Sequence, residues 1–112
     1  MRILYVDDHE RFRQVTIKQF LSTHQVTIAG TLAQARHLLS HQQFDCVLLD
    51  YDLPDGKGIE LIDDLRRLGL LNQVTAISSI EDNNAALTKA GAFAALSKLR
   101  FAHISEILKQ LG

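Results

Sequence analysis

The stretch "CVLLDYDLPDGKG", residues 46–58, sets an unbroken apolar run against a cluster of acids. Cys46, Val47, Leu48 and Leu49 show no polar alternation, the pattern of a strand covered on both faces. Asp50 ends the run, and Asp52 and Asp55 follow around Pro54, Gly56 and Gly58. A buried strand that ends in like charges needs something positive to visit.

The same arrangement recurs along the chain. "ILYV" (3–6) is a buried strand ended by Asp7 and Asp8, and "VTIA" (26–29), "VTAIS" (74–78) and "FAAL" (93–96) complete a set of five. Amphipathic segments lie between them. The first runs from about His9 to Ser22 with Phe12, Val15 and Phe20 on one arc. In the second, Thr31 is positioned as N-cap ahead of Leu32, Ala35 and Leu39. Ile59, Ile62 and Leu65 mark the third, which Gly69 stops. Asp82 is placed to cap a short fourth helix ended by Gly91, and residues 101–111 form the last, with Phe101, Ile104, Leu108 and Leu111 aligned. Five strands alternating with five helices imply an α/β fold. With right-handed crossovers it is a doubly wound, open parallel sheet.

Composition narrows the function classes. The chain has 112 residues, 46% hydrophobic and 22% charged, with a net charge of -1. That length suits one domain over 1–112, and the charge gives no general attraction to nucleic acid or an anionic membrane. Cys46 is the only cysteine, so no disulfide framework can form within the chain and a reducing compartment is expected. No apolar segment approaches the ~20 residues that span a bilayer. The N-terminal apolar run is too short for a signal peptide, and the expected location is the cytosol.

In open α/β sheets, ligands bind beyond the carboxyl ends of the strands. Here those ends carry Asp7 and Asp8, Asp50, Ser78 and Ser79, and Lys98. Three converging carboxylates repel one another, and a divalent cation removes the conflict. Hard oxygen donors without His or Cys favour Mg²⁺ or a similar ion. Such a cluster, with Lys98 and a serine hydroxyl, suits a phosphoryl group, and one of its aspartates can itself accept that group as an acyl phosphate. Asp7 or Asp8 is equally suited to capping the first helix.

These pieces resemble the receiver domain of bacterial two-component response regulators over essentially the whole chain. The carriers are "ILYVDDHE", "VLLDYDLPDGKGIEL", "VTAISS" and "AGAFAALSK", in that order. The resemblance implies a flavodoxin-like strand order 2-1-3-4-5. It implies Asp50 as phosphoacceptor and Mg²⁺ held by Asp7, Asp8, Asp50 and the backbone carbonyl of Asp52. Ser78 takes the place of the switch hydroxyl, and Lys98 that of the lysine that pairs with the phosphoryl group. The implied donor is a histidine kinase or a histidine phosphotransfer domain, and the implied recipient is a downstream protein that the sequence does not identify. No enzymatic turnover, direct nucleic-acid contact or membrane contact is expected.

Departures from the family pattern collect near the fourth and fifth strands. Leu99 stands where Pro is usual after the lysine. A cis bond there would cost ~2.5–4 kcal/mol, which predicts a trans bond with a rearranged loop, or a strained cis one. Ala95 replaces the usual aromatic switch residue, Ser79 and Ile80 are atypical, and the segment from Ser78 to Gly91 is about two residues short, which predicts a short fourth helix. This is the side of the family's fold that typically signals. A pseudo-receiver that binds partners without being phosphorylated is the alternative those departures raise.

Other readings are weaker. "VLLDYD" resembles the nucleophile motif of haloacid-dehalogenase-type phosphatases, but there the motif leads the chain and the acidic pair comes last. The spacing of Asp50, Asp52 and Asp55 is wrong for a calcium loop, with Pro54 interrupting and Leu61 where a glutamate is needed. His37 and His41, four apart, read as exposed helical histidines rather than metal ligands. Ile17 and Leu21 fall off the core arc of the first helix and offer a docking patch.

Overall fold

The computed structural model describes residues 1–111. Five parallel strands, β1 (Arg2–Val6), β2 (Gln25–Ala29), β3 (Cys46–Leu49), β4 (Val74–Ser78) and β5 (Ala94–Ser97), form one sheet in the order 2-1-3-4-5. The helices are α1 (Glu10–Phe20), α2 (Leu32–His41), α3 (Ile62–Arg67), α4 (Glu81–Lys89) and α5 (Ile104–Leu111). β1, β3 and β4 are buried almost throughout, as their unbroken apolar runs require, whereas β2 and β5 are edges with partly exposed residues. Register is direct: Leu4 lies opposite Val47, and Val47 opposite Val74.

Strand alternation sorts the core into two layers. Leu4, Val6, Val47 and Leu49 face α2 and α3, packing with Leu32, Leu61 and Leu65. Ile3, Tyr5, Cys46 and Leu48 face α5 and α1, packing with Ile104, Leu108 and Leu21. Burial pushes the Cys46 thiol up to about 12, which keeps it an inert core group.

Several local expectations change. Leu21 is fully buried and Ile17 packs on the same layer, so the proposed docking patch on α1 does not exist. Val15 is 47% exposed instead of facing the core. The inward arc runs through the buried Thr16 and the partly buried Phe12 and Phe20. Thr16 tolerates burial because its hydroxyl donates to the Phe12 carbonyl at 2.8 Å and lies 3.2 Å from the Tyr5 hydroxyl.

Thr31 caps α2, its Oγ1 accepting the Gln34 N–H at 3.0 Å. Asp82 does not cap α4, because the helix begins one residue earlier, after Ile80, with no side-chain cap. Gly69, with φ +73°, closes α3 in the left-handed conformation its position requires. α3 and α5 are each shorter than their periodicity predicts, because 3-10 turns at Gly58–Leu61 and Lys98–His103 precede them. β5 sits one residue later than "FAAL", which leaves Phe93 outside the strand and pairs Ser97 with Ser78.

Candidate functional site

Parallel strands all deliver their carboxyl ends to one edge of the sheet, and the predicted residues gather there. The Asp50 N–H donates to the Val6 carbonyl at 2.9 Å, which holds the end of β3 against the end of β1. The Asp50 carboxylate accepts the Tyr51 N–H on Oδ1 (2.8 Å) and Lys98 Nζ on Oδ2 (3.1 Å). Lys98 Nζ also lies 2.9 Å from Asp7 Oδ2, and 5.1 Å from the centre of the Phe12 ring, so one ammonium spans both buried acids. Asp7 and Asp50 are almost wholly buried, whereas Asp8 is exposed at the rim. Burial, followed by the charge of Asp7, holds the Asp50 carboxyl above the usual carboxylate range, and Lys98 opposes both.

The site contains one residue that the sequence reading left out. His9 Nδ1 lies 2.9 Å from Asp7 Oδ1, 3.5 Å from Asp8 Oδ1, 3.6 Å from Asp50 Oδ2 and 3.0 Å from Lys98 Nζ. The premise of an all-oxygen cluster is therefore corrected, since an imidazole nitrogen joins it. Its signal was its place directly after the strand-end pair, at the turn into α1. Asp7, Asp8, Asp50 and His9 each bring a ligand atom within 4.8 Å of the others, close enough to share one cation. Asp7 Oδ2 is buried without a hydrogen bond, having only the ion pair to Lys98, so it keeps a lone pair free to ligate a cation.

The remaining predicted residues lie nearby with other partners. Ser78 is buried at the end of β4, and its Oγ accepts the Ile80 N–H at 3.1 Å. The Asp52 side chain is exposed, outside the carboxylate cluster, and pairs with Lys57 and with Asn83 Nδ2, the latter at 3.3 Å. Asp52–Leu53 and Gly56–Lys57 form a small antiparallel ribbon. Gly58 follows it, and its N–H donates to the Tyr51 carbonyl at 2.5 Å. A Cβ at Gly58 would run into the Asp50 carbonyl oxygen, so this close approach requires glycine. Asp55 reaches across to α2, where its two carboxylate oxygens accept the N–H groups of Leu32 (2.8 Å) and Ala33 (3.0 Å). His37 and His41 lie side by side on the exposed face of α2, their rings tilted by 36° with centres 4.3 Å apart, away from the acids.

The loop after Lys98 answers the question raised by Leu99. Among the described residues there is no cis peptide bond, and Lys98 still reaches both acids. Ser97 Oγ accepts the Leu99 N–H at 3.2 Å, and the chain winds into a 3-10 turn with a non-helical kink at Arg100 (φ -123°, ψ 31°). Leu99 itself is 87% exposed.

The chain matches the family model described as the response regulator receiver domain over residues 3–110. Among solved structures it is similar to the response regulator protein TrrA from Thermotoga maritima in complex with Mg²⁺ and BeF. That pair shares 21% identity, a TM-score of 0.87, and coverage of 99% of this chain and 98% of that one. It is similar to a CheY-like receiver domain protein from Methanospirillum hungatei at 26% identity and TM-score 0.83, over 97% of this chain and 90% of that one. It is also similar to the receiver domain of a sensor histidine kinase from Pseudomonas aeruginosa, which has a magnesium ion coordinated in its active-site cleft. There the identity is 23% and the TM-score 0.85, over 98% and 95% of the two chains. The match over nearly the full length, on the strand order 2-1-3-4-5 and with an acidic pocket at the expected edge, shows that this chain belongs to the response regulator receiver domain family of two-component systems.

Proposed function

We propose that Asp50 is the phosphoacceptor of this receiver, taking its phosphoryl group from a histidine kinase or a histidine phosphotransfer domain. The observation that carries this reading is the position of the Asp50 carboxylate. It is buried at the end of β3, bonded to Lys98 at 3.1 Å, with Asp7 sharing the same ammonium. An Asp50 oxygen attacks the phosphorus of a phosphohistidine, the P–N bond breaks, the imidazole leaves with the electron pair, and an acyl phosphate remains. Lys98 then pairs with the new phosphoryl oxygens, and the Ser78 hydroxyl turns from the Ile80 N–H to donate to one of them.

The pocket fits a magnesium ion. Its carboxylates are hard donors within reach of one another, and Asp7 Oδ2 has no hydrogen bond to lose. Asp7, Asp8 and Asp50 would hold the ion together with the backbone carbonyl of Asp52. When bound, Mg²⁺ offsets the charge that the phosphoryl oxygens bring into an acidic site. The whole chain, 1–112, acts as one receiver domain that signals to a protein partner in the cytosol, without turnover of a substrate and without binding nucleic acid or membrane directly. No helix among the described residues is long and apolar enough to cross a membrane.

The test is labelling with acetyl phosphate and Mg²⁺. The natural chain is expected to gain one acid-stable, alkali-labile phosphoryl group, and Asp50→Asn none. An unlabelled natural chain, or equal labelling of the variant, overturns the proposal.

A further inference from the structure

α4 has little apolar surface with which to hold itself in place. Its buried residues are Leu87 and Asn84, and Ile80 ahead of it supplies no side-chain cap. A buried amide must find partners, and Asn84 finds two. Its Nδ2 donates to the Ser78 carbonyl (3.1 Å) and to the Leu96 carbonyl (3.2 Å). These carbonyls sit near the ends of the adjacent strands β4 and β5, and Lys98 follows two residues after Leu96. Asn84 Oδ1 is buried with no partner, so the orientation of the amide depends on those two carbonyls alone.

Asn83 points elsewhere. Its Nδ2 donates to Asp52 Oδ2 at 3.3 Å, in the turn that follows Asp50. Two consecutive amides in the first turn of α4 therefore hold three points around the carboxylate site: the turn after β3, the end of β4 and the end of β5. Ala95, which stands in place of the usual aromatic switch residue, has no side chain able to make such a link.

We infer that Asn83 and Asn84 are positioning residues that couple the charge state of Asp50 to the stability of α4. This deepens the proposed acceptor role of Asp50 and rests on it for its biological meaning. The coupling itself needs only the charge. Lys98 is shared between Asp50 at 3.1 Å and Asp7 at 2.9 Å, so removing the charge of Asp50 leaves Asp7 to draw the ammonium alone and shifts the pull on the residue that follows β5. The Asn84 amide bonds both strand ends through one nitrogen and cannot follow one carbonyl without straining its bond to the other. The first turn of α4 moves as a result, and Asn83 adds the displacement of the acceptor turn through Asp52.

The test is a double-mutant cycle read by amide hydrogen exchange on the full chain. Asp50→Asn is measured in the natural background, in Asn84→Leu and in Asn83→Ala. In the natural background it is expected to change exchange of the α4 amides several-fold. In either asparagine variant that response falls by half or more. A merely structural role would loosen α4 in the variants but leave its response to Asp50→Asn intact. That result overturns the inference, as does the absence of a response in the natural background. Asn83 is only partly buried, so Asn83→Ala carries the test alone if Asn84→Leu fails to fold. Failure of acetyl phosphate labelling would refute the acceptor role without affecting this cycle.

Discussion

The turns after β3 and β4 both lead from a buried strand toward a helix at the same edge of the sheet, yet different bonds hold them. After β3, Gly58 lies so close that its N–H bonds the Tyr51 carbonyl and no Cβ fits beside the Asp50 carbonyl. Asp55 fastens the same turn to α2 by accepting the N–H groups of Leu32 and Ala33 with a charged group. After β4, the buried ties are neutral, Ser78 Oγ to the Ile80 N–H and the Asn84 amide to two strand carbonyls, while the bond from Asn83 to the charged Asp52 is exposed and 3.3 Å long. Steric closure and charge-assisted bonds fix the acceptor turn. Neutral bonds, each of modest net strength, leave the α4 side able to exchange partners. The contrast suits a module in which one turn must present a carboxylate accurately and the other must respond to it.

The largest effect should come from breaking the steric part. Gly58→Ala forces a methyl group against backbone rather than against a side chain that could turn aside. A loss of about 3 kcal/mol in urea unfolding is expected, together with loss of phosphoryl labelling. A cost under about 1 kcal/mol would show that the turn yields, and the contrast with α4 would fail.

Charge at Asp50 sharpens the comparison next. Burial and the charge of Asp7 raise its carboxyl above the usual range despite Lys98. The ionised form therefore costs the fold more than the neutral form does. Asp50→Asn keeps the shape and removes the charge, so without Mg²⁺ its Tm should rise by a few degrees at pH 7. For a group with a raised folded pKa, the stability gained by protonation is present at low pH and is lost as pH rises through that pKa. The advantage of the variant should accordingly shrink on acidification. It should also shrink when Mg²⁺ is added, because the cation favours the natural carboxylate. A lower Tm for the variant in the absence of Mg²⁺ would mean that the Lys98 pair outweighs burial.

Asp55 and Asp45 titrate in the opposite sense. Backbone N–H groups hold both carboxyls below the usual range: Leu32 and then Ala33 for Asp55, and Arg2 for Asp45. Their stabilisation is full above about pH 5 and is lost as pH falls through about 4 and below. Amide exchange at Leu32 and Ala33, corrected for intrinsic rates, should accelerate between pH 5 and pH 3 more than exchange at the neutral tie of α4. Equal acceleration in both regions would remove the distinction between charged and neutral fastening.

The fold was legible because unbroken apolar runs signal strands covered on both faces, and because parallel strands put every strand-end residue on one edge. That rule places Asp7, Asp8, Asp50, Ser78 and Lys98 together from the sequence alone. What stayed hidden were contacts whose partners lie far along the chain or whose residue type misleads. Thr16 is buried in place of Val15 because its hydroxyl meets Tyr5, which no apolar periodicity records. Asp55 reads as a turn former, yet it serves a helix 22 and 23 residues earlier. Asn84 reads as a surface residue of a weak helix until the two carbonyls beneath it are known. His9 required only that the edge argument be carried one residue further.

The smallest expected effects lie at Leu99, and they show what the loop after β5 uses. Its side chain is 87% exposed, so Leu99→Ser should change stability by no more than about 0.5 kcal/mol. Its N–H is engaged, donating to Ser97 Oγ at 3.2 Å. Leu99→Pro, which restores the usual family residue, removes that donor and should cost about 0.5–1.5 kcal/mol more than Leu99→Ser. Ser97→Ala removes the same bond from the other side. If the bond is the cause, combining Leu99→Pro with Ser97→Ala should cost little more than either change alone. Full additivity would shift the cause to the backbone of the 3-10 turn, and the β5 end would then be fixed by conformation in the way the acceptor turn is.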